Sequence, residues 1–189
     1  MDSVRIIRSE SEARVLTDPI RREILRLLAA KPLAGGELAK ILGLSAPSAS
    51  HHLTALKKAG FVSVVRREEG GHGIVQKFYR PSAQTYVIDQ SALPLSIVRY
   101  FTPHHVERVR GTVAALSLLQ DGFRLSSPEI ERMAWEFSAR LINVAHKHQG
   151  VSGYEDPEFL VNQLYRKALE ELITAQPSAF PKISRAGLP

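Results

Sequence analysis

The sequence predicts a mainly α-helical chain with a small β-hairpin, organised as two units over residues 1–90 and 91–189. Three observations carry this. Apolar stripes at helical spacing, several of them opened by a cap residue and a proline, recur from Asp18 onward. Two β-rich runs flank the turn Gly70, Gly71, His72 and Gly73. The basic excess sits in the first unit: residues 1–90 hold 14 basic and 9 acidic side chains, residues 91–189 hold 11 and 10, and the 189-residue chain carries a formal charge of +6.

Composition narrows the classes further. With 44% hydrophobic and 23% charged residues, the chain can fold, and at this size it should bury roughly 70% of the surface its unfolded form exposes. The absence of cysteine excludes disulfides, thiolate zinc sites, iron–sulfur clusters and cysteine nucleophiles. Residues 1–16 contain no apolar leader segment, and no run approaches the ~18 apolar residues of a membrane span. The expectation is a cytoplasmic protein with no membrane partner. An excess of base asks instead for an acidic one.

Taken in order, a short helix with Ala13, Val15 and Leu16 precedes Asp18. Asp18 and Pro19 then offer an N-cap and a first-turn proline, followed by Ile20, Ile24, Leu27 and Leu28 at helical spacing. Pro32 disfavours helical geometry at Lys31 and should end that helix. Glu37 to Leu42 carries Leu38, Ile41 and Leu42, and Gly43 closes it as a C-terminal glycine does. Only Leu44 separates Gly43 from the next cap, Ser45.

The helix opened by Ser45 places Ala49, Leu53 and Leu56 on one side and Pro47, Ser48, His51, Thr54 and Lys58 on the other. One face packs; the other is small, polar and basic. After Gly60, the stretch FVSVVRREEGGHGIVQKFYR reads as the hairpin. A tight helix-turn-helix followed by a basic hairpin is a winged helix-turn-helix.

The segments VLTDPIRREILRLL, ELAKILGLSAPSASHHLTALKKAGFV and QKFYRPSA, with the glycine-rich turn between the last two, resemble ArsR-type winged helix-turn-helix transcriptional regulators over about residues 10–90. The densest part is Leu44-Ser45, Ser48, Ser50, His52-Leu53, Leu56 and Ala59 to Val62. The resemblance implies a DNA-binding homodimer whose affinity for an operator responds to a signal. The thiolate metal sensing of some members is excluded here by the missing cysteines.

Residues 91–189 read as helices without strands. Val106, Val109, Val113 and Leu116 suggest one after a break at Pro103. Ser127-Pro128 opens a second with Ile130, Met133, Ala134, Phe137, Leu141, Val144 and Ala145. Asp156-Pro157 opens a third with Leu160, Leu164, Ala168 and Leu172. These stripes, with the short helix before Asp18, are the basis for expecting a dimer.

The candidate DNA contacts follow from shape and chemistry. Ala46, Pro47, Ser48 and Ala49 keep the start of the Ser45 helix slim, and the positive end of its dipole favours phosphate. Ser48 and Ser50 suit phosphate oxygens or bases, His51 and Thr54 can reach base edges, and Lys58 adds charge. His52, at the margin of the packed face, orients the helix as much as it contacts DNA. In the hairpin, Arg66, Arg67, His72, Lys77 and Arg80 would supply backbone contacts, against which Glu68 and Glu69 count. The alternative use of the same surface is a protein-interaction module docking an acidic protein.

No catalytic constellation is present: there is no phosphate-binding loop with lysine, no helical HExxH and no GxSxG. No enzyme activity and no cofactor are expected. His104 and His105, and His146 and His148, are weak metal candidates, because adjacent and i+2 histidines do not share a helical face; polar helix ends are the plainer reading. Trp135, Phe137, Tyr154, Phe159 and Tyr165 are candidates for an effector pocket or for core. The effector itself is not named by the sequence.

Overall fold

The structure, a computed structural model, describes residues 1–69, 75–119, 123–151 and 156–176. Over the described residues the chain is mainly α-helical with a small antiparallel sheet: a winged helix-turn-helix followed by three long helices. Among the described residues no helix is long and apolar enough to cross a membrane.

The first unit begins with strand β1 (Asp2–Ile7) and helix α1 (Glu10–Leu16). Helix α2 (Pro19–Ala30) starts where the Asp18 carboxylate accepts hydrogen bonds from the backbone N–H groups of Ile20 (2.8 Å) and Arg21 (3.3 Å). It stops before Lys31, whose backbone is extended ahead of Pro32. A two-residue strand β2 (Leu33–Ala34) leads into α3 (Gly35–Leu42), where the Glu37 carboxylate accepts from the Ala34 N–H at 2.7 Å. Gly43 ends α3 in the left-handed conformation, at φ 64°, which a side chain would disfavour. Leu38 and Ala39 are the buried residues of α3; Ile41, expected on the packed face, is 54% exposed. Helix α4 (Ala46–Lys58) follows, then strands β3 (Val62–Glu69) and β4 (Val75–Pro81), which pair antiparallel with β2 in the order β2-β4-β3. The glycine turn and His72 lie outside the described residues.

Strand β5 (Ala83–Ile88) was not anticipated, nor was its parallel pairing with β1, in the register Val4 with Thr85 and Ile6 with Val87. Parallel strands require a long crossover, and here the whole helix-turn-helix and its wing supply it. Alternation along this ladder serves two cores. Val4, Ile6 and Val87 pack with Phe137, Leu141 and Leu164. Ile7, Tyr86 and Ile88 pack with Ile24, Leu56 and Phe61. The ladder is therefore a wall common to both cores.

The connection at 89–94 forms a 3-10 turn (Gln90–Ala92), followed by the short helix α5 (Leu95–Val98). Leu93, Ile97, Val98 and Phe101 pack into the first core. Helix α6 (Thr102–Leu119) carries Pro103 in its first turn, so the proline opens this helix. Helix α7 (Ser127–His146) is capped by Ser126, one residue earlier than expected, with the Glu129 carboxylate accepting from the Ser126 N–H at 2.7 Å and from its hydroxyl at 2.5 Å. Helix α8 (Pro157–Ala175) is capped by Asp156. The stripes on α6, α7 and α8 are covered by one another and by β1 and β5, and Ala13 and Leu16 of α1 are buried in the first core. The apolar faces that suggested a partner chain are thus satisfied within the chain.

Candidate nucleic-acid interface

Helix α4 is amphipathic in the sense its sequence predicts. Ala49, Leu53 and Leu56 are buried, while Ser45, Ala46, Pro47, Ser50, His51, Thr54 and Lys58 are exposed and Ser48 is half-buried. The Ser45 hydroxyl accepts from the Ser48 N–H at 3.3 Å. Pro47 has no N–H, so with Ser48 capped this end offers an anion its dipole more than a set of open amides.

His52 is placed differently from its neighbours. It is only 9% exposed, and its Nδ1 lies 3.4 Å from Asp18 Oδ2, too long for a good hydrogen bond but close enough for electrostatic attraction. The Arg21 guanidinium stands 3.5 Å from the same carboxylate oxygen. The carboxylate that caps α2 is thereby also the joint between α2 and α4. His52 thus lies on the packed side of α4, against Asp18, rather than on the exposed side with Ser50, His51 and Thr54.

The other end of α4 is held by residues that sequence reasoning did not single out. Gly60 has φ 72°, and its carbonyl accepts from Arg5 Nη1 at 2.7 Å. The Arg5 guanidinium lies over the Phe61 ring, 4.9 Å from its centroid, and also pairs with Glu12. The Tyr86 ring meets Phe61 edge-on at 5.2 Å, and its hydroxyl donates to the Phe61 carbonyl at 3.1 Å. Burial raises the Tyr86 phenol above its usual pKa, more than its hydrogen bonds lower it. Arg5 and Tyr86 come from β1 and β5, so the ladder fixes the exit of α4.

In the wing, Arg66, Arg67, Lys77 and Arg80 are all exposed, but they are not equivalent. Arg66 lies over the buried Phe78 ring at 4.0 Å and pairs with Glu68 at 3.0 Å. A bulge between Val64 and Arg66 sets this register and places Arg67 directly opposite Lys77. Like charges facing across a ladder are destabilising on their own; an anion brought to them relieves the repulsion.

The histidine pairs are used separately. His104 Nε2 lies 3.3 Å from Arg22 Nη2, and His105 is buried. His146 Nε2 lies 2.5 Å from Arg8 Nη2, and His148 Nδ1 lies 2.9 Å from the Val144 carbonyl one turn back. Among the described residues, no three His, Asp or Glu side chains are grouped to hold a metal ion. Of the aromatic candidates, Phe137 is buried in the second core, Trp135 and Phe159 are exposed, Tyr165 lines a cavity, and Tyr154 is outside the described residues.

Residues 18–64 match the model of the bacterial regulatory protein, arsR family. The transcriptional repressor SdpR of Bacillus subtilis (strain 168) is 41% identical over 54 residues, which cover 29% of this chain and 60% of that relative. The chain thus spans about 60% of the length of this curated relative. Among solved structures, reduced HlyU from Vibrio cholerae N16961 is 26% identical at a TM-score of 0.33, covering 40% of this chain and 74% of the other. The homodimeric winged helix-turn-helix DNA-binding domain Mb0332 (fragment 1-100) from Mycobacterium bovis, a possible ArsR-family transcriptional regulator, is 26% identical at a TM-score of 0.34, covering 52% and 81%.

Proposed function

We propose that this chain, whose residues 18–64 are of the arsR regulatory type, is a cytoplasmic regulator of transcription that binds double-stranded DNA as a homodimer on a near-palindromic operator. The observation that carries this is α4: a capped helix whose apolar side is buried and whose exposed side is slim, polar and basic. In this reading residues 1–90 bind DNA and residues 91–189 form a helical unit whose apolar stripes pack within the chain, so the dimer contact uses surface other than those stripes.

Each candidate residue takes a role. Ser50, His51 and Thr54 face base edges; Ala46 and Pro47 let the helix start approach the groove floor; Ser45, Ser48 and Lys58 serve the phosphates. His52 acts through α4 by holding it against Asp18. On the wing, Arg67, Lys77 and Arg80 are backbone contacts; His72, a further candidate, lies outside the described residues. Arg66, already engaged by Glu68 and Phe78, contributes less. A dimer doubles the few contacts one helix can make and sets two copies of α4 in successive major grooves, about 34 Å apart. Similarity to a named repressor supports repression by occupying the promoter.

Selection of bound fragments from sheared genomic DNA tests the reading. The enriched sequences should share a near-palindrome whose half-site centres lie about one helical turn, ~10 base pairs, apart. No enrichment at low salt, together with capture of an acidic protein, would favour the winged helix as a protein-docking module.

A further inference from the structure

A cavity of about 430 Å³ lies between α2 of the first unit and α6 and α8 of the second, with β5 forming part of its wall. That volume is within the usual range for small-molecule sites. Its apolar surface includes Leu25, Ala29, Val87, Leu141, Val161 and Leu164, and its basic side is made by Arg22 and Arg26 of α2 and His104, His105 and Arg108 of α6. Asp156 and Glu158, at the start of α8, complete the lining charges.

Most of these charges are already engaged. Arg26 pairs with Glu23 at 2.6 Å. Arg22 Nη1 donates to the carbonyls of Leu16 (2.8 Å) and Thr17 (3.2 Å), at the end of α1. The Asp156 carboxylate accepts from the Glu158 N–H at 2.9 Å. Arg108 is different: its guanidinium lies over the Tyr165 ring at 4.5 Å, and among the described residues no carboxylate pairs with it.

His105 complements Arg108. Its Nδ1 is buried without a hydrogen-bond partner. A buried lone pair costs less than a buried unpaired N–H, so the ring proton belongs on Nε2, which remains as a donor for the cavity. Burial, aided by the charges of Arg108 and His104, pushes the His105 pKa down to about 4 and keeps the ring neutral.

We infer that this cavity is a binding site for an organic acid, its carboxylate held by Arg108 and His105 Nε2 and its apolar body lying against Leu25, Leu141 and Leu164. Arg108 is exposed as a residue, yet desolvation lowers its pKa and neither carboxylate of the lining, Asp156 or Glu158, pairs with it; a ligand carboxylate supplies both the charge and the hydrogen-bond acceptors. A neutral ligand would fill the space without an ion pair to Arg108, and a cation would meet the guanidinium as a like charge. Among the described residues, none of α4 or the wing lines the cavity, so the site stands or falls apart from the DNA-binding proposal.

Isothermal titration of the full chain with decanoate, decan-1-ol and decylamine tests it. Decanoate should bind at one saturable site about tenfold more tightly than decanol, with decylamine weakest, as expected of a charge-assisted contact. Arg108→Gln should cost about tenfold for decanoate and leave decanol unchanged, Arg108→Lys should recover part of the loss, and Ala29→Trp should weaken both ligands by filling the apolar wall. Equal affinities for decanoate and decanol, no binding of any of the three, or a folded Arg108→Gln protein that binds decanoate as the natural chain does would overturn the inference.

Discussion

Phe61→Ala should lower the free energy of unfolding by about 3–5 kcal/mol, the usual cost of emptying a fully buried aromatic site. Phe61 has no exposed surface, and its ring is the point at which the exit of α4, the start of β3 and the β1–β5 ladder meet. The substitution also removes the edge-on contact with Tyr86 and the Arg5 guanidinium stacked on the ring. The site is poorly able to collapse, because its walls belong to elements far apart in sequence. Total stabilities of about 5–15 kcal/mol are usual for domains, so a loss of this size removes about a fifth of the stability or more. Urea unfolding measures it as a lower midpoint at unchanged slope. A cost below about 1 kcal/mol would mean that the ladder does not brace the exit of α4.

The second large effect is acid destabilisation centred on His105. Its folded pKa is held near 4 against 6.5 for the free side chain. Above pH 6.5 both folded and unfolded states hold the ring neutral and the group costs nothing. Between 6.5 and 4 the unfolded chain takes up the proton and the folded chain does not, so stability is lost as pH falls through that window. The full loss is about 3 kcal/mol. His104 shifts in the same direction, from burial first and then from the charges of Arg22 and Arg108. Glu23 and Glu129, with carboxyls lowered by hydrogen bonds from Arg26 and Ser126 respectively, give up their contributions only below the ordinary carboxylate pKa. The upper part of the window therefore reports histidine. Urea midpoints between pH 7 and pH 5 should fall for the natural chain and fall much less for His105→Gln. Parallel profiles for the two proteins would show that His105 is not held neutral.

Much of this was legible because local signals agreed with one another. The Asp18 and Asp156 caps with their prolines, Gly43 and Gly60, and the 3.6-residue stripes on α4, α7 and α8 all act within a few residues, and the helices they mark are present. The β1–β5 ladder was not legible. Its strands pair across about eighty residues, and each serves two cores, so neither shows the plain alternation of a half-buried strand. Of the aromatic pocket candidates that are described, only Tyr165 lines the cavity; the rest of its wall was not legible, because Leu25, His105 and Leu164 share no local pattern. Within the candidate interface, the exposed side of α4 could be read from periodicity. The inequality between Arg66 and the pair Arg67 and Lys77 could not, since it depends on a one-residue bulge.

The central claim is that α4 reads bases while the wing only positions the protein, and competition binding at a series of salt concentrations tests it directly. Affinities are measured for the selected fragment and for random duplex, with the natural chain, Ser50→Ala, His51→Ala, Arg67→Ala and Lys77→Ala. Discrimination between the two DNAs should fall by about 1–3 kcal/mol for the α4 variants that contact a base. Each wing variant should weaken binding to both DNAs alike and reduce the salt slope by about one unit. Equal losses on both DNAs for Ser50→Ala and His51→Ala, or a natural chain whose binding does not depend on salt, would contradict the account.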